Sequence, residues 1–234
     1  MSTFLLIHGG GDVGWYWHLL GKELRARGHE AVAPDLPDGD DSLTLDDYAD
    51  HAVEAVEAVA ADRDLVVVGH SFGAYTASLV AARRPVASLV LVAGMVPAPG
   101  ESPEAWWGAT GHAQAVRRQA ARDGGLTGNE DPYTAFYHDV PPELATDAMS
   151  RERAHPSPTA WAQPWPLDAW PAVPTRFVLC TEDRVFPPDF LRRLVRDRLA
   201  LVPEEIAAGH CVALSRPAAL ADLLTDAPCR PAAP

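Results

Sequence analysis

Lysine is almost absent from this sequence: of its 234 residues 19 are basic, and Lys22 is the single lysine. A Schiff-base lysine elsewhere in the chain and a Tyr-x-x-x-Lys reductase pair are therefore excluded. A phosphate-binding P-loop is excluded as well, because Lys22 stands in Gly21-Lys22-Glu23 and no Ser or Thr follows it. Other side chains have to carry the chemistry of this protein.

Cysteine is also scarce, and no hydrophobic run is long. Cys180, Cys211 and Cys229 form no Cys-x-x-Cys pair and leave an odd thiol, which is typical of a reducing compartment, so a cytoplasmic location is expected. The first apolar residues follow no basic segment and lead into glycines, which predicts a buried strand and not a signal peptide. No run approaches the ~18 apolar residues of a membrane helix, so no membrane partner is expected.

Positive charge is in short supply as well. The 19 basic residues stand against 32 acidic ones, and the formal net charge is −13. Nucleic-acid binding relies on clustered cations that neutralise phosphates, so no nucleic-acid partner is expected. The length fits one domain with a sizeable core.

Short apolar runs alternate with helical patterns through most of the chain. Uniformly apolar strands separated by helices indicate a parallel sheet covered on both faces. The sequence therefore predicts an α/β fold with a mostly parallel, doubly wound sheet. The predicted strands are Thr3–Ile7, Ala31–Ala33, Leu65–Val68, Ser88–Val92, Arg176–Cys180 and Glu204–Ile206. The predicted helices are Trp15–Arg27, Leu43–Ala61, Ser71–Arg84, Pro188–Leu199 and Pro217–Leu224.

One segment breaks this rhythm. Residues 97–174 hold 12 of the 22 prolines and five of the seven tryptophans. This composition predicts short helices and loops, so we expect residues 97–174 to form a small helical cap inserted into a core made of residues 1–96 and 175–234. The Pro- and Ala-rich tail from Asp226 to Pro234 is expected to fray.

Two glycine motifs follow predicted strands. The first, Gly9-Gly10-Gly11-Asp12-Val13-Gly14, satisfies G-x-G-x-x-G and has Asp35 at the end of the next strand, which is the dinucleotide-binding pattern. Two features weigh against a nucleotide: bulky aromatic residues crowd the start of the next helix, and His8 directly precedes the glycines. A strand-end His followed by glycines also occurs in loops that supply a backbone N–H to an oxyanion hole.

The second motif, Gly69-His70-Ser71-Phe72-Gly73, is G-x-S-x-G at a strand-to-helix junction. Such a turn holds the serine in a strained conformation with its hydroxyl exposed, and the glycines let neighbouring backbone pass closely. The motif predicts a nucleophilic Ser71. The alternative is a plain glycine-rich turn whose serine only caps the helix.

A nucleophilic serine needs a base and an orienting acid, which follow it in the order Ser, Asp or Glu, His in folds with this motif. Asp183, at the end of a predicted strand, is the better candidate for the acid, and Glu182 is the second, because adjacent side chains point apart. His210 lies on a loop after the next short strand and is the candidate base. An interval of 27 residues between Asp183 and His210 leaves room for one helix and one strand.

The remaining histidines give little sign of a metal site, and neither a metal nor a cofactor is expected. His8 is expected to hold the glycine loop, and His70 to pack beside the Ser71 turn. The others show no His-x-x-x-His or similar spacing with a carboxylate. They are His18, His29, His51, His112, His138 and His155.

With these motifs in place, the sequence resembles the α/β-hydrolases, in the small-cap branch that holds plant methylesterases, hydroxynitrile lyases and related bacterial esterases. The matching stretches are Leu6-Ile7-His8-Gly9-Gly10-Gly11 with Trp15-Tyr16-Trp17, Ala33-Pro34-Asp35-Leu36-Pro37, Gly69-His70-Ser71-Phe72-Gly73, Cys180-Thr181-Glu182-Asp183 and Gly209-His210-Cys211-Val212-Ala213-Leu214-Ser215-Arg216-Pro217. The resemblance covers both flanks well and the insertion poorly. It implies Ser71 as nucleophile, His210 as base and Asp183 as orienting acid, with the backbone N–H groups of Gly10 and Phe72 as the oxyanion hole.

The resemblance also separates two chemistries. In hydroxynitrile lyases a Thr follows the strand-end His and a Lys follows the catalytic His, whereas here Gly9 and Cys211 occupy those positions. The missing cation beside the base favours ester hydrolysis, and the aromatic residues of the insertion fit a small, apolar carboxylic ester. A lyase-like or other non-hydrolytic enzyme on the same scaffold and a non-catalytic small-molecule receptor are the alternatives, and a homodimer is left open.

Overall fold

The computed structural model describes residues 1–37, 39–60, 64–151 and 155–226, and the expectation for the tail and for Cys229 lies outside them. The strands are β1 Ser2–Ile7, β2 Glu30–Val32, β3 Asp64–His70, β4 Ser88–Val92, β5 Thr175–Cys180 and β6 Glu204–Ile206. The helices are α1 His18–Ala26, α2 Leu45–Ala60, α3 Gly73–Arg83, α4 Pro103–Ala109, α5 His112–Asp123, α6 Pro132–Ala135, α7 Pro142–Arg151, α8 Pro158–Ala162, α9 Pro188–Leu199, α10 Val212–Ser215 and α11 Pro217–Thr225.

The strands form a single parallel sheet in the order β2-β1-β3-β4-β5-β6. The prediction of an α/β fold with a mostly parallel, doubly wound sheet is confirmed. The chain moves outward from β1 to β2, and β3 then pairs with the other side of β1, with Ile7 opposite Gly69. Ligands of such sheets bind where the strand order reverses, beyond the carboxyl ends of the strands. Here the loops after β1 and β3 meet at that point.

Side chains alternate between two cores, one on each face of the sheet. Leu5, Val67 and Leu91 point to the face covered by α2, α3 and α9. The next residue along each strand, Leu6, Val68 or Val92, points to the face covered by α1 and α11. Because both faces are covered, the strands are apolar at nearly every position, which is why they were readable from the sequence.

Some predicted element bounds differ from the structure, and one helix was not predicted. The predicted helix Trp15–Arg27 begins with a separate 3-10 turn over Gly14–Trp17, and it ends before Gly28, whose φ of +83° closes the last turn. The helix predicted from Ser71 begins at Gly73, because Ser71 itself has a left-handed backbone. The short helix α10 was not predicted.

Five short helices, α4 to α8, lie between β4 and β5. Three of them begin in the same way, with a side-chain oxygen of Ser102, Asp131 or Ser157 accepting backbone N–H groups of the first turn and a proline following directly. Proline costs no hydrogen bond there, because the first N–H groups of a helix have no partner within it. Proline-rich sequence is thus compatible with helices here. That residues 97–174 form a distinct cap stays a prediction.

Residues 97–174 lie between β4 and β5 and are called the insertion below; they also hold large core side chains. Trp106 and Trp165 are fully buried against the face covered by α2, α3 and α9. None of the helices within the described ranges has both the length and the apolar character that crossing a membrane requires.

An ion pair ties the start of the insertion to α9. The guanidinium of Arg198 donates to both carboxylate oxygens of Glu101, at 2.8 Å for Nη2 and Oε1, and also to the carbonyl of Val96 at 2.6 Å. Both side chains are largely buried, at 18% and 9% exposure. Removing one partner of a buried pair leaves an uncompensated charge.

We therefore expect Glu101→Ala to lower the free energy of unfolding by roughly 2–4 kcal/mol, because Arg198 stays buried without its partner. Glu101→Gln keeps an acceptor oxygen and should cost less. Urea unfolding followed by tryptophan fluorescence measures both. A Glu101→Ala protein as stable as wild type would show that the pair contributes nothing.

Candidate active site

Ser71 lies in the turn between β3 and α3, with a φ of +50° that non-glycine residues rarely adopt. Neighbouring backbone holds it there. Its N–H donates to the carbonyl of Val92 at 3.2 Å, and its carbonyl accepts from the N–H of Met95 at 2.9 Å. A strained residue fixed from both sides at the carboxyl edge of a sheet is typical of a functional position.

The glycines of this turn are required by close contacts. A Cβ at Gly69 would lie 2.7 Å from Cβ of Ala77, and a Cβ at Gly73 would lie 2.4 Å from the carbonyl oxygen of His8. Larger residues do not fit at either position without backbone shifts. The spacing of the G-x-S-x-G motif thus reflects how tightly α3 packs against the ends of β1 and β3.

The glycine loop after β1 lies beside Ser71. A Cβ at Gly9 would lie 3.2 Å from Cβ of Ser71, and one at Gly10 would lie 3.6 Å from Cβ of Phe72 and 3.2 Å from Cγ of Pro156. The structure therefore brings Gly10 and Phe72 together, as expected for two residues of one site.

Gly14 and Asp35, which belonged to the dinucleotide pattern, contact each other. The N–H of Gly14 donates to Oδ1 of Asp35 at 2.8 Å, and a Cβ at Gly14 would lie 2.2 Å from the carbonyl oxygen of Ala33. Loop packing therefore accounts for glycine at 14 and aspartate at 35, and no bound nucleotide is needed to explain them.

His8 holds the glycine loop in the way expected. Its Nδ1–H donates to the carbonyl of Gly9 at 2.8 Å, and its Nε2 accepts from the N–H of Leu36 at 3.0 Å. The two bonds require the same tautomer, with the proton on Nδ1. His8 therefore joins the loop after β1 to the segment after β2.

Asp183 and His210 meet beneath the carboxyl end of the sheet. Nδ1–H of His210 donates to Oδ2 of Asp183 at 2.8 Å. The other carboxylate oxygen accepts from the N–H groups of Val185 and Phe186, at 2.7 and 2.9 Å. Both side chains are buried, whereas Glu182, the second candidate for the acid, is exposed. The structure thus places Asp183, and not Glu182, against the histidine.

Aromatic rings enclose the imidazole of His210. Phe186 and Phe136 approach it edge-on, with ring centroids 5.2 and 5.6 Å away, and His70 lies at 4.8 Å. Phe136 comes from the insertion. These rings leave His210 little freedom to change its orientation.

His70 supports the site from below. Its ring stacks on Tyr16 with centroids 4.7 Å apart, and its Nε2–H donates to the carbonyl of His210 at 3.1 Å. Its Nδ1 is buried and has no hydrogen-bond partner among the described residues. Burial, and then the nearby His210, hold the pKa of His70 well below its ordinary value. His70 is therefore neutral, and it packs beside the Ser71 turn as expected.

Ser71 and His210 line the same cavity, whose volume is about 250 Å³. Gly10 also lines it, and Asp183 lies behind His210. One wall comes from the insertion, through Pro132, Phe136, Tyr137 and His155. Sequence reasoning did not assign these four residues to the site, and the only available signal was the aromatic content of the insertion.

Cys211, which also lines the cavity, carries no charge there. Burial raises the pKa of its thiol well above the ordinary value, and nearby carboxylates raise it further. Cys180, at the end of β5, is buried and free as well. Within the described ranges, no three His, Cys, Asp or Glu side chains cluster in a way that could hold a metal ion.

The family match and the similar proteins agree on one family. Residues 4–223 match the model of the alpha/beta hydrolase family. Methylesterase 7 of Arabidopsis thaliana is 28% identical over 251 residues, which cover 96% of this chain and 95% of the relative. Norfluorocurarine synthase 1 of Strychnos nux-vomica is 25% identical over 250 residues, which cover 95% and 94%.

A solved structure shares the fold. The crystal structure of polyneuridine aldehyde esterase superimposes with a TM-score of 0.76 and covers 97% of this chain and 98% of its own. The two sequences are 23% identical. This similarity concerns the arrangement of the chain and does not extend to substrate.

The contact of Gly73 with His8 predicts a large cost for a methyl group there. Gly73→Ala should lower the free energy of unfolding by about 3 kcal/mol or more, because backbone must move to relieve the overlap. Gly108→Ala is the control: it lies in α4 with open space around it, and should be neutral or stabilising by up to about 1 kcal/mol. Equal urea midpoints for the two variants would contradict the contact.

The depressed pKa of His70 predicts a pH dependence of stability. Unfolded His70 binds a proton below its ordinary pKa of 6.5, and folded His70 does so only at lower pH. Its contribution to stability is therefore complete above pH 6.5 and is lost as the pH falls toward the folded-state pKa.

His70→Gln, which can still donate to the carbonyl of His210, should lose less stability than wild type between about pH 7 and pH 5. His29 and His112, whose pKa is also lowered, are present in both proteins, so their effect cancels in the comparison. Urea unfolding at a series of pH values measures the difference. Parallel curves would refute the role assigned to His70.

Proposed function

The chain belongs to the alpha/beta hydrolase family, and we propose that it is a carboxylic ester hydrolase acting through Ser71, His210 and Asp183. The observation that carries the proposal is the bond between His210 and Asp183 behind a cavity that His210 shares with Ser71. The serine has the strained backbone of a nucleophile, and the histidine has a fixed tautomer.

The proposed mechanism is acyl transfer in two steps. Because Nδ1 of His210 keeps its proton toward Asp183, Nε2 is free to accept the proton of Ser71 as its oxygen attacks the ester carbonyl. The protonated His210 then donates that proton to the departing alcohol. In the second step His210 activates water, which attacks the acyl group on Ser71 and releases the acid. Asp183 stays ionised and stabilises the imidazolium.

The oxyanion of each step would be stabilised by the backbone N–H groups of Gly10 and Phe72. Their close approach supports this assignment, since two donors have to converge on one oxygen. Helix α3 begins at Gly73, directly after Phe72, and the positive end of its dipole favours negative charge at the same place.

The cavity supports a small substrate. Its volume of about 250 Å³ lies just below the roughly 300–1,000 Å³ of typical ligand sites, and Pro132, Phe136 and Tyr137 give it an apolar wall. Relatives are named as a methylesterase and as an esterase of polyneuridine aldehyde. We infer a small, apolar carboxylic ester, of which the alcohol part can be as small as methanol.

A second candidate is a non-hydrolytic reaction on the same scaffold. One relative is named a synthase, so the relatives of this chain carry more than one named activity. Against a cyanide lyase stands the neutral thiol of Cys211, which supplies no cation beside His210. A non-catalytic receptor is the third candidate, and the bond between His210 and Asp183 gives it no support.

Several coarser expectations remain proposals. The two free, buried cysteines fit a reducing, cytoplasmic location. The net charge of −13 argues against a nucleic-acid partner. A homodimer is left open, and activity without metal or cofactor stays a prediction.

Ester hydrolysis is tested with a panel of short-chain nitrophenyl esters and methyl esters. Ser71→Ala and His210→Ala should each lower kcat by at least about 10³-fold, because the nucleophile or the base is lost. Ser150→Ala, an exposed serine in α7, is the control and should match wild type. Turnover that survives both substitutions would exclude the proposed mechanism.

The identity of the acid is tested separately. Asp183→Asn should lower kcat by about 10³-fold or more, because the tautomer of His210 is no longer fixed. Glu182→Gln, which changes the exposed neighbour, should leave kcat close to wild type. The reverse order would assign the acid to Glu182. Wild-type protein that reacts at Ser71 with a fluorophosphonate but turns over no ester would favour the non-hydrolytic candidate.

A further inference from the structure

Two residues of the insertion contact both loops that carry the acid and the base. Nε2–H of His138 donates to the carbonyl of Glu182 at 3.0 Å, directly before Asp183. The next residue, Asp139, accepts from the N–H of Gly209 through Oδ2 at 2.8 Å, directly before His210. One dipeptide therefore holds the residue preceding each partner of the pair between Asp183 and His210.

Packing makes this contact close. A Cβ at Gly209 would lie 2.6 Å from Oδ1 of Asp139 and 2.7 Å from Nε2 of His138. The backbone of Gly209 does not have a positive φ, so another residue could adopt its conformation. Only the side chains of His138 and Asp139 exclude a Cβ there. A larger residue at 209 would therefore force these two side chains to shift.

The dipeptide itself is anchored on both sides. Tyr137 and Val140 are buried in the core on the α1 face, and the N–H of Val140 donates to the carbonyl of Tyr137 at 3.0 Å. Arg184, next to Asp183, donates through Nη1 to the carbonyl of Thr134 at 2.9 Å. The insertion is therefore attached to the acid loop on both sides of Asp183, through Glu182 before it and Arg184 after it.

We propose that His138 and Asp139 are positioning residues of the reaction, which set the separation of Asp183 and His210 by holding Glu182 and Gly209. The proposal rests on the proposed function of Ser71, His210 and Asp183. Neither side chain lines the cavity that contains Ser71. Each acts through the loop it holds. Displacement of a catalytic group by ~1 Å can cost about 10²-fold in rate, so loss of these two hydrogen bonds is expected to lower kcat.

Asp139→Ala should lower kcat roughly tenfold to a hundredfold and leave KM unchanged, because the base is misplaced while the cavity is intact. Asp139→Asn keeps an acceptor oxygen for the N–H of Gly209 and should retain most of the activity. Gly209→Ala should resemble Asp139→Ala, since its methyl group pushes the dipeptide away.

Gln163→Ala is the matched control. Gln163 also joins the insertion to the core, accepting from the N–H of Leu45 at 2.6 Å and donating to Asp46 at 2.9 Å, but none of its hydrogen bonds reaches the acid or base loop. A purely structural role of Asp139 would make the alanine variants at 139 and 163 equivalent: both less stable, both with wild-type kcat. That result would overturn the proposal.

A second readout does not depend on any ester. The proton between Nδ1 of His210 and Asp183 gives a low-field NMR signal when the pair is well aligned, and Asp139→Ala should weaken or remove it while Gln163→Ala preserves it. If no ester is hydrolysed but the signal is lost in Asp139→Ala and kept in Gln163→Ala, the positioning role of His138 and Asp139 is supported and the proposed ester hydrolysis is refuted. If Asp139→Ala does not fold, His138→Ala is measured instead: it removes the hydrogen bond to Glu182 and the packing on Gly209 but keeps the hydrogen bond of Asp139. A wild-type signal and kcat in His138→Ala would refute the positioning role of the dipeptide.

Discussion

The close contact between the first turn of α3 and the end of β1 is the constraint on which the site depends. The backbone of Gly73 lies against the carbonyl of His8 so tightly that no side chain fits between them. Because β1 and β3 are neighbouring parallel strands, this contact places the glycine loop beside the Ser71 turn. The strained serine, the loop glycines and the start of α3 thus share one corner of the cavity.

Much of this arrangement could be predicted from local sequence. Strands buried on both faces are apolar at successive positions, so β1, β3, β4 and β5 could be predicted from the sequence alone. The turn at Ser71 could be predicted because its close contacts leave no room for a side chain at 69 or 73, which places glycine at both positions. Residues at the ends of parallel strands converge at one edge of the sheet, which is why Asp183 and His210 could be proposed as candidates from their positions after strands, with Glu182 left as the second candidate acid.

Other features depend on contacts that no local pattern encodes. Adjacent carboxylates at 182 and 183 look alike in sequence, and they differ because Asp183 alone receives the N–H groups of Val185 and Phe186. Phe136 reaches His210 from a segment more than 70 residues earlier in the chain. The start of α3 was misplaced by two residues, since a helical pattern continues through Ser71 although its backbone is left-handed.

The insertion combines two properties that matter for how such a protein can diverge. Three of its helices begin with their own capping residue and a proline, and its residues form one wall of the cavity without belonging to the proposed group of Ser71, His210 and Asp183. His138 and Asp139 differ from the rest of the segment, because together they are hydrogen-bonded to both the loop of Asp183 and the loop of His210. On the proposed mechanism, a substitution in the cavity wall changes which substrate fits, whereas one at His138 or Asp139 also changes the rate, so selection for a new substrate would act mainly on the rest of the segment.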